Sequence, residues 1–428
     1  MIDPVANRKR LIENILSLGA VQLASYVLPF LSLPYLALTL GVDALGRIAF
    51  ALSVAQIFVV LTDYGFNLSA PKDISVARDD PQRVSEIYCA VTLLRAGLAL
   101  AGGLLLLVLT RTVPRFQEDA SLLLVTYTMV LGNILFPQWL FQGLEQLKLA
   151  SVFQVIARLL VFAGTFTLVH GPEDVLWAAW LQAGGTVLGG LMAVPFTLRA
   201  LRGAGLRWPS KAQFHHQLQE GWHVFLSTAA INVYTSSNAF FLGLFAAPAM
   251  VGHYHVAEKL IRAVQMVFGP ISNAVYPHVA RLAATDEQAA LRFNRRLLLR
   301  LGAAATVVTA MVWLLAPQVV ARLFGPAYEP AVGVLRIFAL LPLLIVASNI
   351  LGIQTMLTLG MKVAFSRILL GAALVDFAVF IPAAYWFGAE GAAWANVLVE
   401  LYVTVTMAVV LHGAGRSPLS SRLAVPAP

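Results

Sequence analysis

The stretch IAFALSVAQIFVVLTDYGFNLSAPKDIS, residues 48–75, decides the fold of this chain. Its first part belongs to a long apolar run, 45–66, which carries an aspartate, Asp63, near its end. Gly65 and Asn67 follow, and then a basic, proline-broken segment. A helix that crosses a bilayer needs roughly 20 mostly apolar residues. The stretch therefore predicts a membrane-spanning helix with a carboxylate at one end.

The composition places the whole chain in a membrane. Of its 428 residues, 59% are hydrophobic and 12% are charged, and the mean hydropathy is +0.79. Ordinary globular chains carry about 25% charged residues, and one soluble core could not cover this much apolar surface. The chain has one cysteine, Cys89, inside an apolar run. A disulfide within the chain is therefore impossible, and a metal site built on cysteine is not expected.

Twelve apolar runs, separated by short polar breaks, divide the chain. Several runs contain proline, which membrane helices tolerate where neighbouring groups satisfy the freed backbone. We therefore expect an all-α polytopic membrane protein with about twelve transmembrane helices. The runs lie at 13–39, 45–66, 84–109, 120–142, 150–169, 174–198, 218–246, 250–280, 298–323, 331–359, 364–387 and 391–412.

The basic residues predict the orientation of these spans, because short cytoplasmic loops retain Lys and Arg. If both termini are cytoplasmic, 20 of the 29 Lys and Arg residues lie at or near the cytoplasmic side, four lie at or near the outer side and five lie well inside spans. The four outer residues are Arg47, Arg111, Arg115 and Arg322. Topology thereby explains the formal net charge of +8, which gives no support to nucleic-acid binding.

A basic loop that contains Gly and Pro, RALRGAGLRWPSKAQFHHQ at 199–217, follows the sixth run. It divides the chain into an N-terminal six-helix lobe, 1–203, and a C-terminal six-helix lobe with a short cytoplasmic tail, 204–428. Because six is even, both lobes enter the membrane in the same direction, so we expect pseudo-two-fold symmetry about the membrane normal. Bundles of two such lobes tend to hold substrate between the lobes.

Charged and polar side chains inside the apolar runs are the candidate functional residues. A charge at the bilayer centre costs about 2.5–3.5 kcal/mol on insertion scales, and such residues usually face a bundle interior or a water-filled cavity. Four of them, in the eighth run, follow the i, i+3, i+4, i+7 spacing of one helical stripe. The candidates are Arg95, Arg158, Asn232, His255, Lys259, Arg262 and Arg336 for substrate binding, and Asp63, Glu258 and Asp376 for ion coupling or gating.

These residues also have structural alternatives. Glu258 and Arg262, four residues apart, could form an ion pair within their helix. Arg336 could lie near the outer interface and extend its charge to water. Asp376 could serve an ion or a proton, or it could pair with a neighbouring arginine. Within the spans five cations face three acids, with Asp63 at its helix end set aside, so a cavity lined by them would attract a large polar anion.

Asp63 suggests a gate. An acid at the C-terminal end of a helix opposes the helix dipole, so it should have a basic partner. Lys72, Arg78 and Arg83 in the following segment are the candidates. We expect Asp63 to pair with one of them when the cytoplasmic side is closed and to release it when that side opens. A static structural tie is the alternative.

No motif indicates an enzyme. The chain has no phosphate-cradling P-loop, so we do not expect it to hydrolyse ATP. A glycan polymerase or ligase would need a sizeable outer loop, whereas the longest predicted outer connection is the short segment 113–120. His215 and His216 lie in a predicted cytoplasmic loop and are interpreted as solvated. We expect a transporter without metal or cofactor, driven by an ion gradient or by removal of its product.

Four blocks of the sequence resemble the polysaccharide transporter family of flippases, the Wzx-type O-antigen or exopolysaccharide repeat-unit translocases. This family belongs to the multidrug/oligosaccharidyl-lipid/polysaccharide exporter superfamily, whose two six-helix lobes alternate access around a cavity. The blocks are NILSLGAVQLASYVLPFLSLPYLALTLG at 14–41, DYGFNLSAPKDISVARDD at 63–80, PQWLFQGLEQLK at 137–148 and FLGLFAAPAMVGHYHVAEKLIRAVQMVFGPISNAVYPHVARL at 241–282.

The resemblance implies a function. Its cargo would be an undecaprenyl-diphosphate-linked oligosaccharide, moved from the cytoplasmic to the periplasmic leaflet of a bacterial inner membrane by alternating access through a cationic central cavity. Membrane lipids and downstream polysaccharide polymerase or ligase machinery are the implied partners, and we expect a monomer. The surplus of cations within the spans independently favours an anionic cargo. The alternative is an ion-coupled multidrug or small-solute antiporter, whose site would carry acids for a cationic substrate.

Overall fold

The computed structural model describes residues 27–202 and 205–419, and these ranges contain helices and no β-strand, which confirms the all-α class. The described elements include 3-10 turns at Pro172–Asp174 and Pro326–Tyr328 and a π-helix at Ile350–Leu357. The α-helices are α1 Val27–Leu40, α2 Val42–Asp63, α3 Phe66–Val76, α4 Pro81–Thr112, α5 Pro114–Glu118, α6 Ala120–Leu135, α7 Gln138–Gly143, α8 Leu147–Leu168, α9 Val175–Ala200, α10 Lys211–Ser236, α11 Asn238–Phe245, α12 Pro248–Gln265, α13 Phe268–Thr285, α14 Glu287–Phe324, α15 Ala331–Phe338, α16 Leu341–Asn349 and α17 Lys362–Gly413.

Helices occupy all twelve predicted apolar runs, as far as the described ranges reach. Among these residues, eight helical stretches are long and apolar enough to cross a bilayer, so the chain is a multi-pass membrane protein. The count of twelve spans stays a prediction. The basic residues before position 27, and Arg422 in the tail, lie outside the described residues. The eight stretches are Val42–Val76, Pro81–Thr112, Ala120–Gly143, Ala150–Leu168, Pro172–Ala200, Glu287–Phe324, Ala331–Leu357 and Lys362–Gly413.

Two compact units divide the chain, Met1–Asn232 and Val233–Pro428. In the first unit, α6 packs against α2 and α9, and α9 packs against α8. A buried cluster that includes Phe66 of α3 and Trp139 of α7 joins α3 and α7 to α4. Cys89, the single cysteine of the chain, is half-buried on α4. The predicted lobe boundary between residues 203 and 204 stays a prediction.

The stretch at residues 48–75 belongs to two helices, α2 and α3, with a break at Tyr64 and Gly65. Both residues have left-handed backbone, with φ of +44° and +80°. A Cβ atom at Gly65 would lie 2.6 Å from the backbone oxygen of Gly221 on α10. The Tyr64 ring stacks on Phe225 of the same helix, with ring centroids 5.2 Å apart. The break therefore requires glycine for its backbone conformation and for its close approach to α10.

Replacing Gly65 with alanine should destabilise the protein more than replacing Gly41 with alanine. Both glycines have positive φ, +80° and +81°, but a Cβ at Gly41 would meet no atom within 4 Å. Backbone strain of this kind costs on the order of 1–3 kcal/mol at either position, and only Gly65 adds a clash with backbone atoms. Thermal unfolding of the two purified variants in detergent measures the difference. Equal losses of stability would mean that the approach to α10 contributes nothing.

In the second unit, α12 packs against α15, and α14 packs against α13 and α16. Hydrogen bonds of polar groups join the π-helix to its neighbours. The Gln354 side-chain amide donates to the Ser272 carbonyl of α13 at 2.8 Å. Asn294 of α14 donates to the Gln354 carbonyl at 2.9 Å. Gly388, with φ +59° and ψ −136°, breaks α17. This break coincides with the predicted junction of the eleventh and twelfth runs.

Candidate functional site

Asp63 is the centre of a polar cluster in the first unit, at the break between α2 and α3. Its Oδ1 accepts hydrogen bonds from Arg95 Nη2 of α4 at 2.5 Å and from Asn133 Nδ2 of α6 at 3.2 Å. Its Oδ2 accepts from Asn67 Nδ2 of α3 at 2.7 Å. We call these four residues the Asp63 cluster. One carboxylate thus joins four helices of the unit.

Arg95 is the most deeply buried charge of the Asp63 cluster. Its side chain is 1% exposed, compared with 22% for Asp63. Taking two charges out of water costs several kcal/mol per ion, which close geometry and additional hydrogen bonds must offset. The two asparagine amides supply such bonds to the carboxylate. The Nε of Arg95, however, has no hydrogen-bond partner among the residues described, so the guanidinium keeps a donor for a further acceptor.

The prediction that Lys72, Arg78 or Arg83 pairs with Asp63 is wrong. Arg78 forms an ion pair with Glu145 at 2.9 Å, and Arg83 pairs with a glutamate one turn along α4 at 3.0 Å. The reason is that the helical stretch does not end at the break. It resumes as α3 for 11 residues, which moves the end of the stretch roughly 16 Å beyond the carboxylate. Asp63 therefore meets a cation of the neighbouring span instead of one in the loop.

Two other candidates belong to the first unit. Arg158 is half-buried on α8. Asn232, near the end of α10, donates from Nδ2 to the Thr228 carbonyl at 2.8 Å. A role in substrate binding stays a prediction for both residues.

The stripe on α12 carries four of the candidates in the second unit. Glu258 Oε1 accepts from Arg262 Nη2 at 2.8 Å and from Arg262 Nε at 3.1 Å. The structural alternative for this pair, an ion pair within the helix, is therefore observed. His255 is half-buried and Lys259 is exposed. Because Glu258 and Arg262 neutralise each other, Lys259 supplies the net positive charge of the stripe.

Arg336 on α15 packs against Trp313 of α14. The guanidinium carbon lies 4.6 Å from the centre of the Trp313 ring, and Nε donates to the Trp313 carbonyl at 3.4 Å. A guanidinium over an indole ring is held by cation–π attraction. The aromatic contact and the hydrogen bond give Arg336 a structural role, and substrate binding by this residue stays a prediction.

Asp376 on α17 is buried without the partners that a carboxylate requires. Its side chain is 1% exposed, and neither carboxylate oxygen has a hydrogen-bond donor among the residues that the structure describes. Glu400 on the same helix, in contrast, accepts from Ser348 Oγ at 2.6 Å. A buried ionised carboxylate is very costly when unpaired. The environment of Asp376 therefore favours a bound proton or cation over pairing with an arginine.

Asn133 is the member of the Asp63 cluster that the sequence prediction missed. It lies within the apolar segment LGNILF at 131–136. Water is absent at bilayer depth, so a side-chain amide there must find its hydrogen-bond partners within the protein. An isolated amide in an apolar run is the signal that could have identified it.

Known proteins match this chain over most of its length. Residues 11–283 match a family model described as "Polysaccharide biosynthesis protein". A protein of Escherichia coli (strain K12), described as an inferred O-antigen transporter, is 31% identical over 406 residues, which cover 94% of this chain and 96% of that protein. A protein of Shigella dysenteriae with the same description is 28% identical over 401 residues, covering 92% and 98%. Both relatives are described as transporters, in agreement with the prediction that this chain is not an enzyme.

Solved structures share the fold at low sequence identity. The lipid II flippase MurJ, in an inward closed conformation, superimposes with a TM-score of 0.73 at 12% identity, and the match covers 93% of this chain and 87% of MurJ. An inward-facing multidrug resistance MATE family transporter of the MOP superfamily gives 0.64 at 14% identity, covering 94% and 99%. At these identities the similarity shows a shared fold.

Proposed function

We propose that this chain, which belongs to the polysaccharide biosynthesis protein family, is a flippase for undecaprenyl-diphosphate-linked oligosaccharide repeat units of O-antigen or exopolysaccharide. It moves them from the cytoplasmic to the periplasmic leaflet of a bacterial inner membrane, with both of its termini in the cytoplasm. The two relatives described as inferred O-antigen transporters and the helices able to cross a membrane support this proposal.

The observation that carries the proposal is the buried guanidinium of Arg95. A diphosphate offers several charged oxygens, and guanidinium binds phosphate through parallel, charge-assisted hydrogen bonds. Arg95 meets one oxygen of Asp63 through Nη2 and keeps Nε for another acceptor. The linker of the glycolipid, which carries its negative charge, thereby has a suitable partner inside the first unit.

Exchange of partners at Arg95 couples substrate binding to movement. The diphosphate competes with Asp63 for the guanidinium, and displacement leaves Asp63 with the two asparagine amides only. An acid at the C-terminal end of α2 then opposes the helix dipole without a cation to compensate it. The break at Tyr64 and Gly65 is the place where the chain can respond. The gate predicted at Asp63 therefore operates with Arg95 in place of the loop cations.

The remaining parts of the proposal rest on the sequence pattern. Arg158 and Lys259 add positive charge along the path of the diphosphate, and access alternates through a cationic cavity. Asp376 takes up the coupling proton or ion. The protein works as a monomer among membrane lipids, and polysaccharide polymerase or ligase machinery receives its product.

Transport by purified protein in liposomes tests the proposal. Wild type should make a fluorescent undecaprenyl-diphosphate oligosaccharide, placed in one leaflet, accessible from the other. Arg158→Ala and Lys259→Ala should each slow this movement about tenfold or more, because a hydrogen bond to a charged group contributes about 1.5–3 kcal/mol. Lys72→Ala, which removes an exposed cation of α3 outside the Asp63 cluster, is the matched control and should be unaffected.

The liposome assay can also contradict the proposal. If wild type moved no glycolipid across a panel of head groups, yet exchanged a small cation for protons, the flippase proposal would be wrong. The antiporter interpretation would then take its place.

A further inference from the structure

A groove opens between two helices of the first unit. It has a volume of about 550 Å³ and lies between residues 96–107 of α4 and residues 124–135 of α6; we call it the α4–α6 groove. Three small residues of α4, Ala96, Ala99 and Gly103, make room for it. Tyr127 of α6 lines it and donates its hydroxyl to the Ala99 carbonyl at 2.5 Å, which ties the two helices together.

Exposed leucines line much of the α4–α6 groove. Leu100 and Leu104 of α4 are 69% and 56% exposed, and Leu131 of α6 is 48% exposed. Both helices belong to stretches that are long and apolar enough to cross a membrane, so these exposed side chains suit an apolar environment. Lipid tails are as apolar as leucine, so hydrophobicity alone attracts nothing into such a groove. Its shape and the groups at its ends must select the occupant.

A cation lies about one helical turn beyond the last α4 residue that lines the α4–α6 groove. Arg111 follows Leu100, Leu104 and Leu107 at alternating intervals of four and three residues, which places all four on one helical stripe. Arg111 is exposed, in the last turn of α4, at the end predicted to face outward. From residue 96 to 107 the groove runs roughly 16 Å, about half of the 30 Å hydrocarbon core. A long apolar chain in one leaflet, with a phosphate at its head, matches both features.

We propose that the α4–α6 groove holds the polyisoprenyl chain of the glycolipid product in the outer leaflet, with Arg111 binding its diphosphate. This inference rests on the proposed flippase function and assigns a separate site for the lipid part of the cargo. A polyisoprenyl chain carries a methyl branch on every fourth carbon. Of the three small residues of α4, Ala96 is exposed, whereas the Tyr127 side chain packs over Gly103 and Ala99. The open part of the groove therefore lies beside Ala96, Leu100 and Leu104, where a branched apolar chain can lie along the helix.

Filling the α4–α6 groove tests this assignment. Ala96→Phe adds a ring at an exposed position that lines the groove. Gly97→Phe adds the same ring at the next residue, which is exposed, lies outside the groove and has no atom within 4 Å of its Cβ position. Protein in nanodiscs is photolabelled with a diazirine-bearing polyisoprenyl diphosphate. Ala96→Phe should weaken labelling of α4 and α6 about tenfold, as expected for overfilling a packed site, and Gly97→Phe should not.

The charged end is tested in the same assay. Arg111→Gln should weaken labelling and Arg111→Lys should largely retain it. Arg322→Gln removes an exposed arginine from the last turn of α14 in the second unit and should have no effect. Unlabelled polyisoprenyl diphosphate should compete with the probe, and dioleoyl phosphatidylglycerol at the same concentration should not.

Four results would overturn the assignment. Equal labelling of Ala96→Phe and Gly97→Phe would show that the groove is not the site. Equal competition by phosphatidylglycerol would show that the groove takes bulk phospholipid. A label on other helices, in a wild type that moves glycolipid, would remove the groove assignment and leave the flippase function intact. If wild type neither bound the probe nor moved glycolipid, both proposals would be wrong.

Discussion

Arg95→Gln will abolish glycolipid movement, and the double variant Asp63→Asn/Arg95→Gln will restore protein abundance without restoring movement. Removing one member of a buried ion pair leaves an uncompensated charge and costs about 3–5 kcal/mol, whereas removing both charges is much less harmful. The pair here is close, 2.5 Å between Arg95 Nη2 and Asp63 Oδ1, and the arginine is 1% exposed. If the guanidinium binds the diphosphate, the added Asp63→Asn substitution cannot replace the lost guanidinium. Immunoblots of membranes report abundance, and the liposome assay reports movement.

The double variant separates a binding role from a structural one. If Arg95 and Asp63 only tie the helices together, the two neutral amides will restore both abundance and movement. That result would assign the Asp63 cluster to stability and remove the partner exchange from the mechanism. Asp63→Asn alone removes the carboxylate that pairs with the Arg95 guanidinium. Under the proposed exchange, this variant should bind the diphosphate head group but should not complete a transport cycle.

Asp376→Asn will uncouple transport from an ion gradient and leave the protein folded. The amide keeps the shape of the side chain and removes a charge from a position where neither oxygen has a donor among the described residues. Since an unsatisfied buried group costs about 1–3 kcal/mol, and more when it is charged, the variant should unfold at the same or a higher temperature than wild type. Glycolipid movement in liposomes with an imposed proton or sodium gradient should fall to the rate measured without a gradient.

Glu400→Gln is the matched control for Asp376→Asn. Glu400 lies on the same helix and already accepts a hydrogen bond from Ser348, so its neutralisation should leave the response to the gradient unchanged. If the gradient still accelerated Asp376→Asn and no longer accelerated Glu400→Gln, the coupling site would belong to Glu400. If no gradient accelerated wild type, removal of product would be the driving force.

Local patterns in the sequence predicted features that one helix determines by itself. The Glu258–Arg262 pair was named as an alternative because residues four apart on a helix are neighbours wherever the helix lies. Gly65 is another such local feature, because glycine readily adopts the left-handed backbone that its φ of +80° shows. The resumption of the helix as α3 was not foreseen, because the contact between Gly65 and Gly221 joins residues far apart in the chain.

Pairing between helices could not be predicted in the same way. Asp63 and Arg95 were each identified, because a charge in an apolar run is visible in the sequence alone. Their pairing spans 32 residues and depends on how α2 and α4 are rotated and shifted against each other. Many apolar contacts set that register together, among them the approach of the Phe58 ring of α2 to Gly102 of α4, where an added Cβ would lie 2.9 Å from the ring. The predicted partners of Asp63 were therefore the nearest cations in the chain, and Asn133 was not predicted.

The single thiol of the chain makes its working cycle accessible to spectroscopy. Cys89 is half-buried on α4 and is the one cysteine in 428 residues. One substitution, such as Cys89→Ala, removes the native thiol, so that only the introduced cysteines react with a label. Spin labels placed pairwise, one in each unit, would then report distances in a native-like bilayer as lipid-linked sugar is added. Because one substitution removes the single cysteine, the conformational states of this protein can be followed without extensive redesign.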